Sequence, residues 1–404
     1  MSIQFLLMPF PTELQAGATI DKTTEIRDVS PDGRLRWFLF FFLFTSLSCS
    51  GVEPAAELFQ RLTGAPLLNN DPRLSSMRAH IAAGQWGDAA RTASEDDRFF
   101  HTTLRNFSSA LSNRKESPFV PFSDFDALIL GVVRDDTDAR ELLTGNYRYQ
   151  ADATLGLPTP TLSSPKHYRN LEAQGINLRE SLVKRTPQWD EVGDAAGLLT
   201  TYQWASEHFL AGTNRRSTEF AFREFLCAPI KKWRDFGQPD FRIRRDVPRT
   251  PSGSAETFQT ECRSCHALLD GMSGAFANFD FQDGSLRWGR SWIAPKMNQN
   301  RTVYPKGYPV TDSSWINLAT EHHNQDFGWR TSVEGYGVNT FGRMLAESKG
   351  FSRCMTSRVF FTVCRGETPD SKFIETLAED FETKGYLLRS LFERVAIHCT
   401  LELK

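Results

Sequence analysis

Two cysteines and a histidine stand together in Thr260-Glu261-Cys262-Arg263-Ser264-Cys265-His266. Thiols three positions apart lie about one helical turn apart, and the imidazole follows at once. That spacing lets both sulfurs reach the two vinyl groups of a porphyrin while the next side chain swings beneath the iron as an axial ligand. C-x-x-C-H is the attachment signature of c-type haem. With 7 Cys and 8 His in 404 residues, random placement would give this pentapeptide about 0.2% of the time. Three other uses of these residues are weaker. A thioredoxin-like pair needs a βαβ setting, which the flanking pattern lacks. A structural zinc site needs a second Cys/His pair at short spacing; the nearest group, His322-His323 with Asp326, is over 50 residues away and has no cysteine. A local disulfide is disfavoured by the tight spacing. The cofactor expected is one covalently attached haem c, with His266 as the metal ligand.

The sixth ligand then decides the chemistry. Met or His there gives a six-coordinate iron suited to passing electrons, and an open position admits peroxide or small-gas chemistry. Met297, in Ala294-Pro295-Lys296-Met297 and 31 residues after His266, is the first choice. His322, His323, Met272 and Met344 are the alternatives. Each methionine also reads as core filling, and the histidine pair as a solvated loop. Arg242, Arg244, Arg245 and Arg249 precede the motif. Guanidinium groups suit carboxylates, so Arg244 and Arg245 are candidates for the haem propionates, with surface ion pairs as the plain reading. The acidic groups Asp124, Asp126 and 134–138 read as a solvated helix start rather than a cation site.

The elements that must position these residues are mostly helical, so the fold class expected is mainly α. It comprises a helical N-terminal region, a cytochrome c-like haem segment with an aromatic loop region, and a C-terminal helical module. Residues 1–50 form an N-terminal extension with a signal-like run. Residues 51–165 form a helical region with amphipathic pieces at 55–62 and 77–93, closed by a Pro-rich linker at 157–165. Residues 166–250 are a helical segment with helices near 200–210 and 216–232. Residues 251–330 hold the haem motif, with 283–315 read as an ordered loop rich in Trp, Tyr, Pro and Gly. Residues 331–404 carry helices near 340–348, 351–364, 370–384 and 386–398, and Gly385 is placed to end the third.

The most apolar stretch runs from 37 to 44 uninterrupted, eight residues, and to 47 with polar interruptions, eleven. A spanning helix needs about 20, so this is the length of a signal-peptide core, with Arg34 and Arg36 ahead of it. Cys49 follows Ser46-Leu47-Ser48, similar to a lipoprotein cleavage box with Ser where Leu is usual. Export to the periplasm or an outer-membrane lipid anchor at Cys49 is expected, with a mature start near that residue. Residues 1–33 then reflect an early start or a long n-region.

Export places the other cysteines in an oxidising compartment. Apolar residues recur at 351, 355, 359 and 363, which predicts one helix. Ten helical residues separate Cys354 from Cys364 by about 15 Å, too far for a disulfide. Their partners are Cys227 and Cys399. The pairing favoured is Cys364 with Cys399 and Cys227 with Cys354; four buried free thiols is the alternative.

Lys+Arg number 47 and Asp+Glu 49, a net charge of −2. That balance gives no electrostatic case for nucleic acid, and there is no polybasic run for a membrane surface. No phosphate loop, nucleophile elbow or H-E-x-x-H is present.

After His266 the chain continues Ala267-Leu268-Leu269-Asp270-Gly271-Met272-Ser273-Gly274-Ala275-Phe276-Ala277-Asn278-Phe279-Asp280. This resembles the C-x-x-C-H-x-x-hydrophobic-D-P-x-G-x-A-x-E-N-F-D pattern of planctomycete-type secreted cytochrome c proteins and their flanking domains of unknown function. Asp270, Ala275, Asn278, Phe279 and Asp280 fall in register, whereas Gly271, Ser273 and Ala277 replace Pro, Gly and Glu. The segment from Asn214-Arg215-Arg216 to Pro229, and the helical stretches from Met344 to Cys354 and from Gly385 to Phe392, are similar to the regions flanking the motif in that family. The resemblance covers roughly 119–400. It implies an exported haem protein with Asp270 and Asn278 in the cofactor-binding segment, and it supplies no substrate. The expected function is a monohaem c-type cytochrome in periplasmic electron transfer, an electron carrier or redox accessory more than a substrate-converting enzyme. Its redox protein partner is unspecified, and membrane contact is expected only through the signal or lipid at Cys49. The alternatives are an exported structural or partner-binding lipoprotein with silent or no haem, and a haem peroxidase-like enzyme.

Overall fold

The computed structural model describes residues 53–210, 212–248, 250, 255–365 and 369–402. Cys49, the signal-like run and Arg249 lie outside the described residues. The chain is mainly α, with 55% helix and 8% strand. One continuous apolar core draws on residues from Ala55 to Cys399, taking side chains from the N-terminal helices, the motif segment and the closing helices alike.

Local sequence signals explain most helix ends. Helix α1 (Pro54–Thr63) starts on a proline, is capped by the Glu53 carboxylate, and ends where Gly64 adopts φ 72°. The periodic stretch over 77–93 divides into α2 (Pro72–Ala82) and α3 (Trp86–Ser94). Gly84 takes φ 75° between them, and the small buried residues Ala89, Ala90 and Ala93 let neighbouring helices approach closely.

After α4 (Arg105–Leu111), helix α5 (Asp124–Arg134) opens on a capping box between Ser123 and Asp126. Its acidic start is not the solvated one expected from sequence: Asp124 and Asp126 are both buried. Their lone pairs are spent on helix ends. Asp126 accepts from the Ser108 and Ser123 hydroxyls at 2.7 and 2.6 Å. Asp124 accepts from the Tyr202 and Gln203 amides at 2.6 and 3.1 Å, at the start of α6 (Tyr202–His208).

This burial makes a pH dependence. Desolvation pushes the Asp124 carboxyl up to about 6, against the amides that favour its charge. A carboxyl that holds its proton more tightly folded than unfolded adds stability at low pH, which is lost as pH rises through the folded value. Between about pH 4 and pH 6 the wild type should lose on the order of 3 kcal/mol relative to Asp124→Asn. Urea unfolding at a series of pH values reads this; parallel profiles would mean that Asp124 titrates normally.

Among the described residues, three two-stranded antiparallel ribbons interrupt the helices: β1 (Arg148–Ala151) with β2 (Leu182–Arg185), β3 (Phe279–Gln282) with β4 (Ser285–Trp288), and β5 (Ser314–Ile316) with β6 (Glu334–Tyr336). The β3–β4 hairpin and β5 replace part of the loop expected over 283–315, and their register pairs Phe279 with Trp288 and Trp315 with Gly335.

Helix α7 (Arg215–Phe225) stops short of the expected 232 because Cys227 adopts φ 53° and Pro229 follows. A separate turn, Ile230–Trp233, then stacks Trp233 on Phe222 at 4.3 Å. The motif helix α8 (Arg263–Met272) packs on α7. The chain closes with α9 (Gly337–Ala346), α10 (Lys349–Cys364), α11 (Ser371–Thr383) and α12 (Leu388–Leu401), Gly385 ending α11 at φ 78°. Cys227 is bonded to Cys354 and Cys364 to Cys399, with Cα separations of 5.2 and 5.8 Å. The first bond ties the end of α7 to α10, and the second ties the end of α10 to α12.

Candidate functional site

The C-x-x-C-H residues sit where a π-helical turn, Phe258–Cys262, runs into α8. Such turns are frequent at functional sites. Cys262 and Cys265 are free thiols of intermediate exposure. Cys262 packs against a small apolar cluster of Ile243, Phe258 and Ala267, while Cys265 lies against the main core. Between them Ser264 is buried, and its carbonyl accepts the Asp235 amide at 3.1 Å. The His266 side chain keeps 26% exposure, and its Nδ1 faces the Asp270 carboxylate one helical turn on, at 3.6 Å.

Asp270 is the centre of this arrangement. It is 1% exposed and accepts from Arg215 Nε at 2.6 Å, Arg215 Nη2 at 3.1 Å and the Arg244 amide at 3.2 Å. Arg215 also grips Asp246 at 2.7 Å. Burial alone would raise the Asp270 carboxyl; Arg215, His266 and Arg244 outweigh it and hold the group down at about 2. The carboxylate is therefore charged throughout the physiological range. Burial in turn pulls the Arg244 guanidinium down to about 10, against the pull of Asp270.

The other residues singled out from sequence are placed as follows. Arg244 is buried rather than superficial, and its Nη2 donates to the Asp270 carbonyl at 3.1 Å and the Ser273 hydroxyl at 3.0 Å. Its Nη1 has no hydrogen-bond partner among the described residues. Arg245 donates to the Gly307 carbonyl at 3.1 Å. Asn278 closes the turn after β4, donating to the carbonyls of Gly289, Arg290 and Trp292 at 3.0, 3.3 and 2.7 Å. Met297 is buried in a separate apolar cluster with Ala277, Ala294 and Val310. Met272 and Met344 are fully buried in the main core, and Met344 Sδ accepts from Asn317 at 3.4 Å. His322 bonds Asp235 at 3.3 Å and is thereby linked to the motif through Ser264. His323 instead lines a cavity of about 430 Å³ beside Cys227 and Cys354.

The structure thus brings Cys262, Cys265, His266, Asp270 and Arg244 together. Two further residues bear on this group and carried no signal of it in the sequence: Asp235, which bonds His322 87 residues away, and Asp246, which bonds Arg215 31 residues away. Gly271 has a reason of its own, because a Cβ there would stand 2.7 Å from the Ile316 carbonyl.

A covalently held porphyrin fits these residues. The two thiols are free and one turn apart, and the neighbouring imidazole has one nitrogen turned to a buried carboxylate. Arg244 Nη1 is a buried donor with capacity for a carboxylate. Phe236 and Phe241, 45% and 53% exposed, add apolar surface on the segment that runs past the motif. Among the described residues no three His, Cys, Asp or Glu side chains converge as a metal-ion site, and no helix is long and apolar enough to cross a membrane. Comparison with protein-family models, curated proteins and solved structures gives no match.

Proposed function

We propose that this chain is an exported monohaem c-type cytochrome that carries electrons in the periplasm. Cys262 and Cys265 would hold the haem through thioether bonds, and His266 would be its axial ligand. The observation that carries the reading is the placement of two free thiols on successive turns at the mouth of α8, with the His266 ring backed by Asp270. A bound haem supplies one-electron chemistry at a potential set by its axial ligands and surroundings. The protein's part would be to hold the imidazole through Asp270, to back Cys262 with the apolar cluster of Ile243 and Phe258, and to offer Arg244 to a propionate. Export is supported by the signal-like run before Cys49 and by two disulfide-bonded pairs, which belong to oxidising compartments. The test is a pyridine haemochrome spectrum on protein matured in an exporting, haem-attaching host. One c-type haem per chain, resistant to acid–acetone extraction, is expected. Its absence would overturn the reading and leave an exported helical protein of another kind.

A further inference from the structure

We infer that Asp270 is the positioning residue for the His266 imidazole, and that by accepting its Nδ1 proton it lowers the reduction potential of the iron. This rests on the haem reading above. Three observations carry it. First, His266 and Asp270 are four apart on α8, so both side chains lie on one face. Second, Nδ1 is buried and has no hydrogen-bond partner among the described residues, although the ring as a whole keeps 26% exposure. The buried nitrogen is the one turned to Asp270, which leaves Nε2 on the accessible side as the ligating atom. Third, Asp270 cannot turn away, because Arg215 grips both of its oxygens and the Arg244 amide holds Oδ2.

The gap of 3.6 Å is longer than a charge-assisted hydrogen bond, at about 2.7–2.9 Å. The inference requires the ring to tilt slightly on ligation so that this gap closes. A ligating imidazole whose other N–H meets a carboxylate is fixed in one tautomer and becomes a stronger donor. A stronger donor stabilises the oxidised iron more than the reduced iron. Arg215 and Arg244 temper the effect without cancelling it, since they also hold the carboxylate where it faces the ring.

The test uses the full-length holoprotein. Asp270→Asn should shift the oxidised-to-reduced equilibrium at least tenfold toward reduction, which for one electron is about 59 mV upward. A haemochrome spectrum of the same sample establishes that haem is attached, so failure of the cofactor reading is distinguished from failure of this one. An unmoved potential with haem in place overturns the inference. Because the variant takes an anionic partner from half-buried Arg215 and buried Arg244, a measurement on the wild type stands beside it. In the diamagnetic ferrous protein, carbon monoxide being added if the iron is five-coordinate, the His266 Nδ1–H should give a slowly exchanging, downfield proton resonance. Exchange at the rate of a solvent-exposed imidazole would overturn the inference even if Asp270→Asn does not fold.

Discussion

Replacing Cys262 and Cys265 together by serine is expected to abolish haem retention completely while leaving the helical fold in place. Both sulfurs are of intermediate exposure and neither is a disulfide partner, so the loss of packing is small. Cys262 touches the minor cluster around Ile243 rather than the main core. The effect falls on the covalent link, and without it a porphyrin is held only by the axial ligand and apolar contact. After acid–acetone extraction the wild type should keep its haem and the double variant none. The mass of the peptide holding residues 262–266 reads the same difference directly. A control variant, Cys364→Ser with Cys399→Ser, should keep its haem, because those sulfurs lie in another part of the fold. Haem that survives extraction in the Cys262/Cys265 variant would place the attachment elsewhere.

Removing either disulfide should cost several kcal/mol of stability. A cross-link restricts the unfolded chain in proportion to the logarithm of the loop it closes. The loops here span 35 residues for Cys364–Cys399 and 127 for Cys227–Cys354. On that account the first contributes about 4 kcal/mol and the second about 5 kcal/mol, before strain and residual structure in the unfolded chain are considered. Cys354, Cys364 and Cys399 are also buried, so a serine in their place leaves a hydroxyl to be satisfied. Urea unfolding of each paired variant against the wild type measures the difference. A loss below about 1 kcal/mol for both would mean that these cysteines exist as thiols and that the oxidising-compartment argument has no support from them.

Much of the helical framework is legible along the chain because its signals are local. Pro54 and Gly64 bound α1, Gly385 ends α11, and the spacing of Phe351, Met355, Val359 and Val363 marks α10. The divisions are less legible. Helix α7 ends at Phe225, just before Cys227 takes φ 53° and bonds to Cys354, a partner that lies 127 residues away. The ribbons are three or four residues per strand, too short for alternation to stand out from the surrounding loops. At the candidate site the thiols and imidazole are contiguous and were plain from sequence. Of the residues around them, Asp270 and Arg244 were singled out, whereas Asp235 and Asp246 were not. Asp124 and Asp126 show the same limit, since a run of acids before a helix looks solvated until the partners that bury it, Ser108, Tyr202 and Gln203, are known. Arg244 likewise looks like one of several superficial cations until Asp270 and Ser273 draw it inside.

The bond between Cys227 and Cys354 bears on how far this molecule can be trimmed. Helix α8 rests on α7, and α7 is stapled at its end to α10. A minimal fragment spanning only 251–330 would therefore lose the floor under its own motif, including the Arg215 clamp on Asp270. Excision that begins at Arg215 but omits the closing helices strands Cys227 as a lone thiol and uncovers Phe222 and Leu226. Any shortened form that keeps the motif on its support must therefore carry both ends of the staple.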